Sequence, residues 1–248
     1  MRKHDSLEGK CALVTGASSG IGAATARALA RDGANVAVSA RREERLRELA
    51  DGIESEFGVD APVVTADVTD EEAVEAMVDE AVDAFGGLDV AVCNAGLARE
   101  GILEDLSTED YRTMMDVNCD GMFFTARAVA PHLRESEGNL VFVSSFSGQY
   151  PRPHNPVYAA TKWWTRGFAL SLEGVVGADN VGVTIVNPTE VRTEFGETDD
   201  ESQADRFEPG EVTEPEEIAD AIVFACEQRA PNTVSEIDLY RRDKMTHF

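Results

Sequence analysis

The sequence predicts an α/β fold, in which a doubly wound parallel sheet of about seven strands carries helices on both faces. Short apolar runs, typical of buried strands, alternate with helical patterns along the chain. Turn-forming or small polar residues follow most of these runs. No linker or repeat interrupts the alternation, so residues 1–248 are expected to form a single domain.

Seven runs are predicted as strands, namely 11–15, 35–39, 61–65, 88–93, 139–143, 181–186 and 233–239. Helical patterns lie between them, namely one that ends at residue 31, then 43–57, 70–85, 108–135, one from residue 157, and 213–228. Asp32 and Gly33 are expected to end the first helix, and Pro131 to break the fourth near its end. Ligands of such sheets bind beyond the C-terminal ends of the strands.

A glycine-rich segment, Gly16-Ala-Ser-Ser-Gly20-Ile-Gly22, lies directly between the first strand and the first helix. A Rossmann-type fold uses this arrangement to bind a dinucleotide, because the glycines let the backbone approach a pyrophosphate at the start of the helix. The spacing is a permuted form of the usual fingerprint. The alternative is an ordinary glycine-rich turn, which the flanking strand and helix make the weaker interpretation.

The residues after the second strand favour NADP(H) over NAD(H). An NAD site usually places an acidic residue about twenty positions after the fingerprint glycine, against the ribose 2′-hydroxyl. Ala40 stands there, and Arg41 and Arg42 follow it. An Arg guanidinium suits a 2′-phosphate. The alternative is that the two Arg simply begin the charged helix at 43–57.

Tyr158 and Lys162 are four residues apart on the helix predicted from residue 157, so both side chains project from one face. A phenol ordinarily ionises near pH ~10, and a nearby ammonium group lowers that pKa. Tyr158 is therefore a candidate general acid and base near neutral pH. The pair alone is a weak signal, because two such residues more often belong to a helix surface.

The chain carries 47 Asp or Glu and 22 Lys or Arg, a formal net charge of -25. This balance argues against nucleic acid and anionic membranes as partners. One interpretation is an ordinary soluble acidic protein. We favour a halophilic protein adapted to very high salt, because Lys is scarce while Arg is retained. Repulsion between charges is screened within ~3 Å at molar ionic strength.

The four Cys and four His are scattered without metal-type spacing, so no metal site is expected. No apolar run reaches membrane-spanning length, and no apolar segment follows the N-terminal residues as it would in a signal peptide. The sequence therefore predicts a cytoplasmic protein with no membrane partner.

Together these motifs resemble those of the short-chain dehydrogenase/reductase (SDR) family of the classical type, over nearly the whole chain. Residues 15–22 resemble the family's cofactor loop, and Asn94-Ala95-Gly96 resembles its structural motif. The residues that resemble its catalytic tetrad are Asn118, Ser145, Tyr158 and Lys162. The resemblance implies cofactor binding by Gly16, Ser18, Ser19, Gly20, Ile21, Gly22, Arg41, Asp67, Val68, Asn94, Ala95, Gly96, Tyr158, Lys162, Pro188, Val191 and Thr193.

The resemblance implies hydride transfer between a nicotinamide cofactor and a small carbonyl or secondary alcohol substrate. Tyr158 would exchange the proton of the substrate oxygen, and Ser145 would donate a hydrogen bond to that oxygen. Lys162 would lower the phenol pKa and bind the nicotinamide ribose. Asn118 would hold a water that links Lys162 to solvent.

Two other functions stay open. The chain could be an NAD-linked alcohol dehydrogenase, against which Ala40 argues, or a non-catalytic regulator that binds a dinucleotide. NADP(H) is the expected cofactor and NAD(H) the alternative. Members of the family usually assemble through the helix that carries Tyr158 and Lys162, so a homodimer or homotetramer is expected.

Residues 189–213 are expected to form an acidic loop that acts as a substrate lid. The alternative is a solvated acidic loop with no part in binding. The family commonly has Pro-Gly after the sixth strand, whereas Pro188-Thr189 stands here. The side chain of Thr189 would narrow the pocket beside the nicotinamide.

Overall fold

The computed structural model describes residues 6–99, 101–196 and 202–247. The strands are β1 (Cys11–Thr15), β2 (Asn35–Ala40), β3 (Val63–Thr65), β4 (Val90–Cys93), β5 (Asn139–Val143), β6 (Gly182–Pro188) and β7 (Glu236–Leu239). They form one parallel sheet in the order β3-β2-β1-β4-β5-β6-β7. The predicted α/β fold with a seven-stranded parallel sheet is therefore confirmed.

The α-helices of the described residues are α1 (Gly20–Arg31), α2 (Glu43–Phe57), α3 (Glu71–Phe85), α4 (Thr108–Met115), α5 (Gly121–Ser136), α6 (Pro156–Val176), α7 (Gln203–Arg206) and α8 (Pro215–Cys226). Their starts follow from local chemistry. Asp70 caps α3 by accepting hydrogen bonds from the amides of Glu72 and Ala73. Pro156 stands in the first turn of α6, where its missing amide hydrogen costs nothing.

Alternate residues of the strands face two hydrophobic cores, one on each face of the sheet. In β1, Ala12 and Val14 belong to the core shared with α1, α2 and α8. Leu13, between them, belongs to the core shared with α3, α5 and α6. Successive side chains of a strand point to opposite faces, so helices cover both faces of the sheet as predicted.

Strand β1 lies between β2 and β4, so the chain changes direction across the sheet at this point. The connections that leave β1 and β4 therefore diverge, and a crevice opens beyond the C-terminal ends of these two strands. The glycine-rich segment follows β1, and Asn94-Ala95-Gly96 follows β4. The topology thus brings the two segments to the same crevice.

The region predicted as one helix over 108–135 consists of α4 and α5, separated by a π-helical turn at Asp116–Asp120. The prediction that Pro131 breaks this region is wrong, because α5 continues through it to Ser136. A proline removes a single amide donor, and the buried side chains of Val129 and Leu133 hold the helix against the sheet on either side.

The two adjacent tryptophans of α6 have different surroundings. The Trp164 ring stacks on Phe168 with 4.9 Å between centroids, whereas Trp163 is 46% exposed.

The expected homodimer or homotetramer stays a prediction. None of the helices within residues 6–99, 101–196 and 202–247 combines the length and the apolar character needed to cross a membrane.

Candidate active site

A cavity of about 1000 Å³ lies beyond the C-terminal ends of the strands. The predicted site residues that line it are Gly16, Ser18, Ser19, Gly20, Ile21, Arg41, Asp67, Val68, Asn94, Ala95, Gly96, Ser145, Tyr158, Lys162, Pro188, Val191 and Thr193. Gly22 and Asn118 are not part of this lining. They act on the site through the residues they contact.

The turn after β1 requires glycine at two points. Gly16 has a φ of +67°, which residues with a side chain rarely adopt. A Cβ on Gly22 would lie 2.4 Å from the Gly16 carbonyl oxygen and 2.5 Å from Asn94 Nδ2. Both distances are too short for a side chain, so α1 can begin directly against the turn only because position 22 has none. The N-terminus of α1 then meets the cavity, where it favours an anion.

The side chain of Asn94 fastens the end of β4 to this turn. Its Nδ2 donates to the carbonyl oxygens of Thr15 at 2.9 Å and Gly16 at 3.3 Å. The Thr15 hydroxyl in turn accepts from the amides of Asn94 at 3.1 Å and Ala95 at 3.2 Å. Asn94 therefore shapes the cavity mainly by holding its two walls together.

The fully buried side chain of Asn118 holds the next segment in the same way. Its Oδ1 accepts from the Leu97 amide at 2.9 Å, and its Nδ2 donates to the Leu97 carbonyl at 2.8 Å and to Thr161 Oγ1 at 3.1 Å. The π-helical turn directs this amide inward. Asn118 thereby joins the chain after Gly96 to α6.

Ser145, Tyr158 and Lys162 meet where β5 ends against α6. Lys162 Nζ donates to the Val143 carbonyl at 3.1 Å and lies 5.7 Å from the centroid of the Tyr158 ring. The Ser145 hydroxyl lies close enough to the Tyr158 phenol to lower its pKa. The Ser144 hydroxyl donates to the Lys162 carbonyl at 3.3 Å, which fixes α6 to the end of β5. The structure thus joins three of the four tetrad side chains in one contact group.

Burial controls the proton affinities of this group. Desolvation raises the pKa of Tyr158 to about 12, against the lowering effects of the Ser145 hydrogen bond and the charge of Arg152. Desolvation also lowers the pKa of Lys162 to about 8, against a smaller raising effect of Cys119. The expectation of a lowered phenol pKa is therefore wrong, because loss of hydration outweighs the charges nearby. The phenol keeps its proton at neutral pH and is able to donate it.

Arg41 and Arg42 follow β2 but have different surroundings. Arg42 donates to the hydroxyl of Ser18 at 3.0 Å and of Ser19 at 2.7 Å, so its guanidinium is engaged with the glycine turn. The Arg41 side chain is 71% exposed, and its nearest carboxylate oxygen is that of Asp67 at 3.7 Å. Arg42 therefore organises the turn, while Arg41 is accessible to a ligand.

Glu194, which the sequence does not identify as a site residue, ties the segment after β6 to the glycine turn. Its carboxylate accepts from Arg45 at 2.6 Å and from Arg42 at 3.3 Å. The hydrogen bond from Arg45 is the main cause of its lowered pKa. Because 149 residues separate Glu194 from Arg45, no local pattern could have paired them.

The C-terminal segment reaches the opposite end of the cavity, which is also unexpected from the sequence. The buried amine of Lys244 is hydrogen-bonded to the Glu190 carboxylate, and both residues line the cavity. Thr189, expected to narrow the pocket, does line the cavity. Its hydroxyl also accepts from the Arg241 amide at 3.1 Å, which helps to hold this segment.

These residues are suited to a nicotinamide dinucleotide. The turn around Gly16 and Gly22 admits no side chain, the hydroxyls of Ser18 and Ser19 lie beside it, and the Arg41 cation stands at the cavity edge. Such a set provides close backbone approach and donors for phosphate oxygens. In the part of the chain that the structure describes, no three His, Cys, Asp or Glu side chains cluster as metal ligands would.

Replacing Lys162 with Met is expected to relieve the cost of burying an ammonium group. The pKa of Lys162 is lowered from 10.5 to about 8. At pH values below 8, this shift lowers the free energy of unfolding by roughly 3 kcal/mol. Losing the hydrogen bond to Val143 offsets about 1–2 kcal/mol of this gain. We therefore expect Lys162→Met to be about 1–2 kcal/mol more stable than the wild type near neutral pH.

The pH dependence tests the cause of this gain. Between pH 8 and 10.5 the unfolded wild type binds more protons at Lys162 than the folded form, so its stability rises with pH. The advantage of Lys162→Met should therefore disappear across this range in denaturant unfolding. Arg112→Met, which changes an exposed side chain of α4, is the control. An advantage of Lys162→Met that does not change with pH would contradict the explanation.

The chain has relatives of known family along nearly its whole length. A family model described as short chain dehydrogenase matches residues 10–204. An uncharacterized oxidoreductase of Staphylococcus epidermidis is 36% identical over 231 residues, which cover 93% of this chain and 96% of that protein.

Solved structures of dehydrogenases are similar to this chain as well. The alcohol dehydrogenase of the archaeon Thermococcus sibiricus, complexed with 5-hydroxy-NADP, matches with a TM-score of 0.86 and 34% identity, over 93% of this chain and 95% of that chain. A short chain dehydrogenase of Burkholderia cenocepacia in complex with NADP matches with a TM-score of 0.84 and 36% identity, over 94% and 98%. The chain therefore belongs to the short-chain dehydrogenase family and is an enzyme that acts on CH–OH groups with a nicotinamide dinucleotide.

Proposed function

We propose that this enzyme transfers hydride reversibly between NADP(H) and a carbonyl or secondary alcohol substrate. The observation that carries the proposal is the contact group of Ser145, Tyr158 and Lys162, which lines the same cavity as the glycine turn. A proton donor and a dinucleotide site that share one cavity support carbonyl reduction. The relatives complexed with NADP or 5-hydroxy-NADP support the choice of cofactor.

The nicotinamide, when bound, supplies or accepts the hydride. During reduction, Tyr158 donates its phenol proton to the substrate oxygen, and during oxidation it takes that proton back. Ser145, whose hydroxyl lies beside the Tyr158 phenol, donates to the same oxygen as negative charge develops there. The ammonium of Lys162 stabilises the phenolate that proton transfer leaves behind.

In the proposed function, Asn118 has a structural role. Its Oδ1 and Nδ2 are both hydrogen-bonded to the Leu97 backbone and its Nδ2 also donates to Thr161, so it holds the segment after Gly96 at the site. Its part in a water link between Lys162 and solvent stays a prediction. The cytoplasmic location also stays a prediction.

Tyr158→Phe tests the proton donor. The change removes one hydroxyl from the cavity, so we expect turnover to fall by about 10²- to 10⁴-fold while the Kd for NADPH stays within about twofold. Tyr111→Phe, at an exposed tyrosine of α4, is the matched control. Turnover and fluorescence titration with NADPH measure the two effects. Turnover that survives in Tyr158→Phe would show that another group supplies the proton.

Preference for NADP(H) rests on the contrast between Ala40 and Arg41. Ala40 lacks the carboxylate that an NAD site usually directs at the ribose 2′-hydroxyl, and it lines the cavity beside Arg41. The exposed guanidinium of Arg41 is accessible to the 2′-phosphate. Arg42 is engaged with Ser18 and Ser19 and so supports either cofactor.

Arg41→Ala and Arg42→Ala should therefore differ in how they change the affinity for NADPH and for NADH. We expect Arg41→Ala to weaken NADPH binding by about 10- to 100-fold and to leave NADH binding nearly unchanged, since only NADPH carries the phosphate. Arg42→Ala should weaken both cofactors to a similar extent. Fluorescence titrations in dilute buffer and in about 1 M KCl would measure this. Equal loss of both cofactors in Arg41→Ala would contradict a contact between Arg41 and the 2′-phosphate. Loss of folding in KCl would contradict a halophilic protein.

We also propose that the acidic loop at 189–213 is a substrate lid. Residues 197–201 of this loop lie outside the described residues. Support comes from the described part: Glu194 is bound to Arg42 and Arg45, and Arg192 donates to both carboxylate oxygens of Glu214 at 3.0 Å. These ion pairs fasten both ends of the loop near the cavity.

Limited proteolysis with chymotrypsin tests the lid. Phe195 and Phe207 both line the cavity, so we expect saturating NADP⁺ to slow cleavage at these two residues several-fold. Cleavage at Leu103, a 70% exposed residue of another loop, serves as the control. Mass spectrometry of the fragments identifies each cut. Equal rates with and without NADP⁺ would leave a solvated acidic loop as the better description.

A further inference from the structure

The cavity has the opposite charge balance to the chain as a whole. Acidic residues outnumber basic ones by 47 to 22 in the sequence. Among the described residues, the Lys and Arg that line the cavity are Arg41, Arg42, Arg99, Arg152, Lys162, Arg206 and Lys244. The Asp and Glu that line it are Asp67, Glu190 and Glu194. An excess of cations at this one place indicates an anionic ligand.

Each carboxylate of the cavity already faces a cation. Asp67 lies 3.7 Å from Arg41, and the Glu194 carboxylate is bound by Arg45 and Arg42. Glu190 is bound to Lys244. The three carboxylates are therefore already paired. Any positive charge that is not neutralised belongs to one of the other Arg and Lys of the cavity.

Arg152 is such a cation. It lies between the end of β5 and α6, is half-buried, and lines the cavity. Among the described residues no carboxylate oxygen lies within ion-pair distance of its guanidinium. Its guanidinium carbon lies 5.6 Å from the centroid of the buried Phe146 ring. A cation–π contact of this kind holds an Arg without neutralising its charge.

Arg152 also lies at the reacting end of the cavity. The charge of Arg152 acts on the Tyr158 phenol and lowers the pKa of that phenol. The Lys244 amine lies 5.1 Å from the centroid of the same Phe146 ring. The anion sites for the cofactor lie instead around Ser18, Ser19 and Arg41, on the segments after β1 and β2. The unneutralised charge of Arg152 therefore acts at the Tyr158 end of the cavity, where the phenol would meet a substrate carbonyl.

We propose that Arg152 binds a carboxylate of the substrate, so that the enzyme interconverts oxo acids and hydroxy acids. This inference rests on the proposed function. Hydride adds to the carbonyl carbon, the C=O π electrons become a new O–H bond with the proton of Tyr158, and the carboxylate is unchanged. The Arg152 fork suits a carboxylate because it offers two parallel N–H donors. Binding at Arg152 orients the carbonyl toward Tyr158.

The experiment compares acids with their uncharged esters. The probes are 2-oxobutanoate and 3-oxobutanoate and the methyl ester of each, reduced with NADPH by the wild type, Arg152→Gln and Arg152→Lys. We expect the wild type to prefer the acid, and Arg152→Gln to lower kcat/KM for the acid by roughly 10- to 100-fold, with the ester changed less than about twofold. Arg152→Lys should retain part of the preference. Arg112→Gln removes a charge from the exposed face of α4 and is the matched control.

Equal losses for acid and ester in Arg152→Gln would overturn the proposal, as would a wild type that reduces the esters but neither acid. If no carbonyl compound is reduced, the proposed function fails and calorimetry decides the Arg152 question separately. Butanoate is then titrated into the NADP⁺ complex of the wild type and of Arg152→Gln. Binding that is lost in the variant supports a carboxylate site at Arg152, and equal or undetectable binding refutes it.

Discussion

The hydrogen bonds from Asn94 to the turn after β1 are the contact on which the rest of the site depends. The connections of β1 and β4 diverge, so their backbones do not hold the two walls of the crevice together. Nδ2 of Asn94 joins them through the carbonyls of Thr15 and Gly16. Gly22 has to lack a Cβ because it packs against the same amide. One half-buried polar side chain thus fixes both the start of α1 and the position of the chain that leads to Gly96.

Desolvation then gives the site its chemistry. Gly96 lies so close to Asn118 and Lys162 that a Cβ there would be 3.3 Å and 3.5 Å from their polar atoms. Because both groups are desolvated, Lys162 holds its charge weakly and Tyr158 holds its proton firmly. Both shifts disfavour the charged form, and the shift of Lys162 lowers the stability of the fold near neutral pH, which is typical of active sites that are arranged for reaction rather than for folding.

The distribution of charge separates the surface from the site. Acidic residues dominate the chain, yet the described lining of the cavity is mostly basic among its charged members. Long-range attraction of an anionic ligand to such a chain is opposed by the net charge, so direct contacts have to provide the binding. In the functions that we propose, Arg41 on the cofactor side and Arg152 on the substrate side make those contacts.

The sequence by itself determined the parallel sheet, the glycine turn and the Tyr158–Lys162 pair, because strand alternation, backbone freedom and helical spacing are local properties. It did not determine the π-helical turn that directs Asn118 inward, nor the pairing of Glu194 with Arg45 or the presence of Lys244 in the cavity. These depend on contacts between distant parts of the chain. The pKa of the Tyr158 phenol differs from the expectation for the same reason: sequence identifies a neighbouring charge, but only tertiary structure decides how much water remains around both groups.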